Sequence, residues 1–193
     1  HRIVIDPVDG SNNVIRGIST AGLALAVLPI DAPVLPEHVQ YALVGDLYSG
    51  TVYTARKSHG ARRNGQRCEV SQVHHIQHCL AGLNLDGRNQ AVIRTLLTEQ
   101  PVLSHVRRCG SSAMDSVYVA SGSYDAYIDV GDTLTGESFL ASGCIVLEAG
   151  GIISDHQGKP LRPITSLRDG YSIVIASTHE LHQEIIDRIT RCL

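Results

Sequence analysis

The sequence predicts an α/β fold, a layered α+β sandwich. An N-terminally incomplete antiparallel-sheet domain (residues 1–75) is expected to precede a mixed-sheet α/β domain (residues 76–193). Two patterns carry that expectation. Before residue 65, short apolar runs are separated by tight-turn signals, the spacing of hairpins. After residue 76, β-branched runs alternate with stretches of helical spacing, which implies parallel strand pairs joined through helices. With 43% hydrophobic residues in 193, the chain holds enough apolar material for a core.

Taken in order, residues 2–5 read as a buried strand broken at Asp6-Pro7, and Ser11 as the cap of a short helical turn ending at Gly17. Residues 21–29 alternate small and large apolar side chains, as a central strand does. A Pro-rich loop at 30–36 follows, then strands at 38–46 and 51–55 around the turn Tyr48-Ser49-Gly50. Asn64-Gly65 is a strong two-residue turn. Beyond it, strands are expected at 80–85, 105–108, 126–130 and 171–176. Helices are expected at 89–97, at 111–121 with Ser111 as cap, and at 139–149, closed by Gly150-Gly151. Ser177 is expected to cap a terminal helix with Leu181, Ile185, Ile186 and Ile189 on one face. The chain opens on His1, without Met and directly on a predicted core strand, so further residues are expected upstream.

A formal charge of −3 argues against broad nucleic-acid binding, which needs a strongly basic face. The five cysteines, Cys68, Cys79, Cys109, Cys144 and Cys192, are odd in number and scattered, so reduced thiols in the cytoplasm are expected. Neither a charged-then-apolar leader nor a run of eighteen apolar residues is present, so no membrane partner is predicted.

Asp6-Pro7-Val8-Asp9-Gly10-Ser11 is the most informative stretch. Two carboxylates three apart, at the end of an apolar strand and held by Pro and Gly, can converge on one hard cation. Magnesium takes oxygen ligands and keeps waters that a phosphate can replace, and the Val8 carbonyl is a third oxygen between the aspartates. Ser11 opens a helix whose unpaired N–H groups suit a phosphate. An ordinary Asp-rich turn is an equally good reading of these residues alone.

The wider chain adds a resemblance. Asp6 to Asn13, with Tyr53-Thr54-Ala55, His59-Gly60-Ala61, Asn64-Gly65, Cys109-Gly110-Ser111-Ser112-Ala113, Asp125-Ala126-Tyr127 and Glu148-Ala149-Gly150-Gly151, resembles the inositol monophosphatase family in motif and order. That family includes archaeal inositol monophosphatase/fructose-bisphosphatases. The resemblance implies a magnesium-dependent, lithium-sensitive hydrolase of a small phosphomonoester, acting by metal-activated water. It implies Asp6, Val8 and Asp9 as metal ligands, with Asp6 and Ser11 catalytic. Gly10, Ser11, Gly110, Ser111, Ser112 and Asp129 would line the substrate. The partners expected are that small phosphorylated substrate and a second copy of the chain.

Two departures from the family pattern bear on activity. Its further metal-binding Asp, ten residues before the motif Glu, falls on Ser138, so either Ser138 or the preceding Glu137 would have to serve. Neighbouring helix positions point about 100° apart, so Glu137 needs a local shift to substitute. The family's remaining metal-binding Glu lies upstream of the Asp-Pro motif and outside residues 1–193. Gly131 also stands where archaeal members often carry a substrate-facing Arg. The alternative reading is therefore a catalytically impaired homologue serving as a binding or assembly subunit. A third is an enzyme for a bisphosphorylated nucleotide or biosynthetic sugar. His74, His75, His78 and Cys79 lack a second ligand pair, so a polar loop is favoured there over zinc. Arg107 and Arg108 read as strand-end residues meeting solvent, and Cys109 as packed.

Overall fold

The computed structural model describes residues 1–86, 90–100, 103 and 105–192. Among them, six antiparallel strands form sheet A in sequence order: β1 (Arg2–Asp9), β2 (Gly22–Leu28), β3 (Tyr41–Asp46), β4 (Val52–Arg56), β5 (Ala61–Arg63) and β6 (Gln66–Cys68). Sheet B is mixed, with order β10-β11-β9-β7-β8. Its strands are β7 (Leu80–Leu83), β8 (His105–Arg107), β9 (Ala126–Leu134), β10 (Ile152–Ser154) and β11 (Tyr171–Ala176). β7 runs parallel to both β8 and β9, while β9, β11 and β10 pair antiparallel. The helices are α1 (Ser11–Ile15), α2 (Gln90–Thr98), α3 (Ser112–Ala120), α4 (Gly136–Glu148) and α5 (His179–Thr190).

Two buried clusters define the layers. One joins the inner face of sheet A, through α3 and α4, to Tyr127, Tyr171, Ile173 and Ile175 of sheet B. The other joins the far face of sheet B to α2 and α5. Every residue of β11 is buried, because helices cover both faces of that strand. Small residues let α3 and α4 approach sheet A closely. Ala24, Ala26, Ala42 and Ala55 face the helices, and a side chain at Gly22 would lie 3.0 Å from the Met114 sulfur.

The first strand departs from expectation in two ways. Among the described residues it lies at the edge of sheet A, and Ile3 and Ile5 are 59% and 47% exposed on that sheet's outer face. It also continues through Asp6-Pro7 to Asp9, because one extra residue is accommodated as a bulge: Asp6 pairs with Ala24, and Asp9 with Gly22. Pro is tolerated at a bulge on an edge strand, where no ladder N–H is lost.

Several boundaries move by a few residues. The 38–46 strand starts at Tyr41 after a 3-10 turn at Pro36–His38, and the 139–149 helix begins at Gly136. Gly10, in the left-handed region at φ 92, caps α1 in place of Ser11. Thr178 caps α5 in place of Ser177, its hydroxyl accepting from Leu181 N. Asn64 and Gly65 both have positive φ, as the tight turn between β5 and β6 requires. The expected helix at 89–97 is α2, though Asn89 itself lies outside the described residues. No helix among the described residues is long and apolar enough to cross a membrane.

The outward apolar face of β1 yields a direct expectation. Replacing Ile3 and Ile5 together with Lys should lower hydrophobic-dye binding and self-association of the 193-residue chain, with little change in melting temperature. Loss of folding in that variant would instead place these side chains in the core.

Candidate active site

The bulge in β1 decides where the two motif carboxylates point. Strand side chains alternate faces, so residues three apart would normally diverge. The extra residue between Asp6 and Asp9 restores parity, and both pair with inner-face positions of β2. Both carboxylates therefore reach under the sheet toward α3 and α4.

Asp9 meets the N-terminus of α3. Its Oδ2 accepts from the Ser111 hydroxyl at 2.6 Å and from Ala113 N at 2.8 Å, and Ser112 Oγ lies 3.5 Å from Oδ1. Ser111 is also the N-cap, accepting from Met114 N. A carboxylate at this end of a helix is favoured by the dipole and by the unpaired N–H groups. Asn13 fastens the same joint, its side-chain amide donating to Cys109 O at 2.7 Å and to Thr20 O at 2.8 Å. Gly10 and Gly110 are both left-handed, and a Cβ at Gly10 would lie 3.2 Å from Gly110 O.

Asp6 meets the N-terminus of α4. The Ser138 hydroxyl donates to Asp6 Oδ2 at 2.8 Å, and Val8 N donates to Oδ1 at 3.2 Å. Position 138 thus lies against Asp6. Glu137 is next to it in sequence, and its Oε2 is buried without a hydrogen-bond partner. Among the described residues, no three Asp, Glu, His or Cys side chains gather as a metal shell. Val8 is 38% exposed at the bulge, and Ser11 is exposed at the start of α1.

Beside Asp9 lies a polar cavity of about 150 Å³, lined by Ser111, Ser112, Asp115, Asp129 and Arg108 among others. Asp129 is fully buried and accepts from Asn84 Nδ2 at 2.8 Å and from Gly131 N at 3.0 Å. Asp115, unremarked in the sequence, is 3% exposed, and its Oδ1 has no partner. Its only sequence signal was a charge within the buried spacing of α3. Arg108 meets solvent as expected, its side chain 47% exposed, and it also lines the cavity and pairs with Asp86. His74 and His75 face Glu180 and Glu184 of α5, which fits the polar-loop reading.

Burial dominates the electrostatics. It pushes Asp9 up to about 6 against the three donors that lower it, with Asp6 adding repulsion. Burial pushes Asp115 up to about 7, with the nearby Asp9 charge adding to it. Asp129 is raised by burial as well. Buried carboxylates that repel one another are stabilised by a cation, and the donors here are all oxygen, as magnesium prefers. Asp6 and Asp9 thus offer oxygen donors of the kind a hard cation takes, with no third acidic, His or Cys side chain joining them among the described residues.

Layers of antiparallel sheet, helix pair, mixed sheet and helix pair, with carboxylates at two helix N-termini, define an α/β protein built around an acidic oxygen-donor site. The family model described as the inositol monophosphatase family matches residues 1–193, and the chain belongs to that family. It is 31% identical over 189 residues to the fructose-1,6-bisphosphatase/inositol-1-monophosphatase of Methanothermobacter thermautotrophicus, covering 96% of this chain and 66% of that protein. It is 30% identical over 165 residues to Nus factor SuhB of Pseudomonas aeruginosa (81% and 57% covered) and 29% identical over 163 residues to human inositol monophosphatase 1 (81% and 56%). The chain thus spans 56–66% of the length of these relatives. Among solved structures, the MJ0109 gene product, an inositol monophosphatase–fructose 1,6-bisphosphatase, is similar with TM-score 0.81 and 27% identity over 99% of this chain and 69% of that one.

The raised carboxyls set a pH dependence. Asp115 moves from an ordinary 3.8 to about 7, so the folded protein binds this proton more tightly than the unfolded chain does. That contribution is full below about pH 4 and is lost as pH rises through about 7. Asp115→Asn should flatten the loss and be more stable than the parent at pH 8, by on the order of 1 kcal/mol or more. Parallel stability profiles between pH 4 and 8 would contradict this.

Proposed function

We propose that this chain forms the larger part of a magnesium-dependent phosphatase that hydrolyses a small phosphomonoester, an inositol monophosphate or a sugar phosphate. The observation that carries the reading is the convergence of Asp6 and Asp9 on the N-termini of α4 and α3, through Ser138 and Ser111–Ala113. The name of the Methanothermobacter relative supports the substrate class.

In this reading Asp6, Asp9 and the Val8 carbonyl hold the metal. Bound magnesium supplies compensation of phosphate charge and a lowered pKa for water. The protein's own groups do the rest. Ser11, at the head of α1, orients the attacking water, with Asp6 beside it. The Gly110–Ser112 segment and Asp129 hold the alcohol part of the ester. The upstream portion of the full-length protein contributes the remaining acidic groups. Lithium inhibits by competing at a site suited to small hard cations. The setting proposed is the cytoplasm, with a second copy as partner; the five cysteines are free.

One observation favours a second reading. Ser138 offers Asp6 a hydrogen bond where a third carboxylate would draw in metal, so a family member that binds or assembles without turnover is the rival. The relative named Nus factor SuhB is consistent with such a role.

Ser138→Asp in the full-length protein separates the two. It places a second carboxylate against Asp6, at the favourable end of the α4 dipole. Without magnesium the paired charges should lower the melting temperature, and magnesium should raise it. Release of phosphate from inositol 1-phosphate should depend on magnesium and rise about tenfold in kcat, which needs only ~1.4 kcal/mol of added transition-state stabilisation. Glu137→Gln is the control, and loss of turnover there would transfer the role to Glu137. Metal-independent turnover would exclude the mechanism.

A further inference from the structure

The cavity beside Asp9 has a wall that the proposed chemistry does not use. After β7 the chain runs Asn84-Leu85-Asp86 on alongside β9 in the same direction, with Asn84 N donating to Ile128 O at 2.9 Å. Asn84 is bound at both ends of its side chain: Oδ1 accepts from Asp86 N at 3.1 Å, and Nδ2 donates to Asp129. This path needs glycine at 131. A Cβ there would lie 2.4 Å from the Asp86 carbonyl oxygen, closer than any real contact, so a larger residue would lift the segment away. Held in place, Asp86 presents its carboxylate to the guanidinium of Arg108.

That pair controls the charge of the cavity. Arg108 is the one basic side chain among its described lining residues, and the tethered Asp86 already opposes it. The rest of the charged wall is Asp9, Asp115 and Asp129. An ammonium or hydroxyl entering here finds acceptors, including the unpartnered and buried Asp115 Oδ1. Among the described residues, an anion finds no unopposed basic side chain, and it faces the carboxyl groups of Asp115 and Asp129. Both members of the Arg108–Asp86 pair are largely exposed, so the pair contributes little to stability. Its effect is on what can bind, because a charge held on the same chain outcompetes a free one at modest concentration.

Resting on the phosphomonoesterase reading above, we infer that the Asn84–Asp86 segment, seated on Gly131 and paired with Arg108, selects monophosphate esters of neutral or amine-bearing polyols and rejects substrates with a second phosphate. Like-charge opposition gives selectivity by penalising the wrong ligand, without any added contact to the right one.

The test is calorimetric titration of the full-length protein, in magnesium, with inositol 1-phosphate, glucosamine 6-phosphate and fructose 1,6-bisphosphate, beside phosphate release from each. Wild type should bind both monophosphates about tenfold or more tightly than the bisphosphate. Asp86→Asn, at an exposed position, frees Arg108 and should narrow that ratio about tenfold by strengthening bisphosphate binding. Gly131→Ala should do the same by displacing the segment. Asp86→Asn combined with Arg108→Gln should restore the parent preference. Equal affinities in the wild type, a ratio unmoved by Asp86→Asn, or no binding of any ester would overturn the inference. If the esters bind in the stated order but none is hydrolysed, the selectivity stands and the phosphatase reading fails.

Discussion

The site depends on Asp9 lying against the N-terminus of α3. That contact spans 104 residues of chain and joins the end of sheet A's first strand to the helix layer between the sheets. Asn13 and the close approach of Gly10 to Gly110 reinforce it, so two loops distant in sequence behave as one joint. The joint is electrostatically tense. Three donors favour the Asp9 carboxylate, yet burial outweighs them and lifts its pKa. Asp115 adds a second buried carboxyl alongside, raised further. Such an arrangement gains from a bound cation more than a solvated acidic cluster does, because each charge lacks the water that would otherwise screen it.

Much of this was legible in the sequence, for local reasons. The hairpins of sheet A follow from alternation and from Asn64-Gly65, whose positive φ values admit few other dipeptides. The family resemblance singled out Ser138 by its distance from Glu148, and the structure sets its hydroxyl against Asp6. What escaped depends on pairing between distant segments. Two carboxylates at an odd separation face one way only because a bulge shifts the register with β2. The Asp-Pro break looked like a strand end for the same reason. Ile3 and Ile5 read as core residues because apolar side chains do not reveal which face of a strand is covered. β10 is three residues long and, among the described residues, pairs with β11 alone, so no periodicity could announce it. Asp115 and Asn84 act through a cavity that exists only when β7, β9 and α3 come together.

Some family motifs turn out to hold the frame instead of the chemistry. The Glu148 carboxylate accepts from the N–H groups of Ser58, His59 and Gly60, fixing the turn between β4 and β5 to the end of α4. Asp125 accepts from Leu80 N and the Ser71 hydroxyl, pinning the entry to sheet B. These contacts tie together the helices and sheets whose ends carry Asp6, Asp9 and Asp129. Chemistry and frame therefore share one hydrogen-bond economy, with carboxylates serving both. Ser138 marks where the two differ: a hydroxyl satisfies Asp6 as a hydrogen-bond partner but contributes no negative charge toward a cation.

We propose that Asp6 and Asp9, turned to one face by the bulge, form an oxygen site for magnesium. Isothermal titration of magnesium into the 193-residue chain, and into Asp6→Asn and Asp9→Asn, addresses it most directly. The account predicts weak binding by the parent, because two carboxylates leave much of the shell to water. It predicts affinity reduced at least about tenfold in each variant, since even an outer-sphere partner is worth roughly that much. Magnesium binding of equal strength in all three proteins would contradict it.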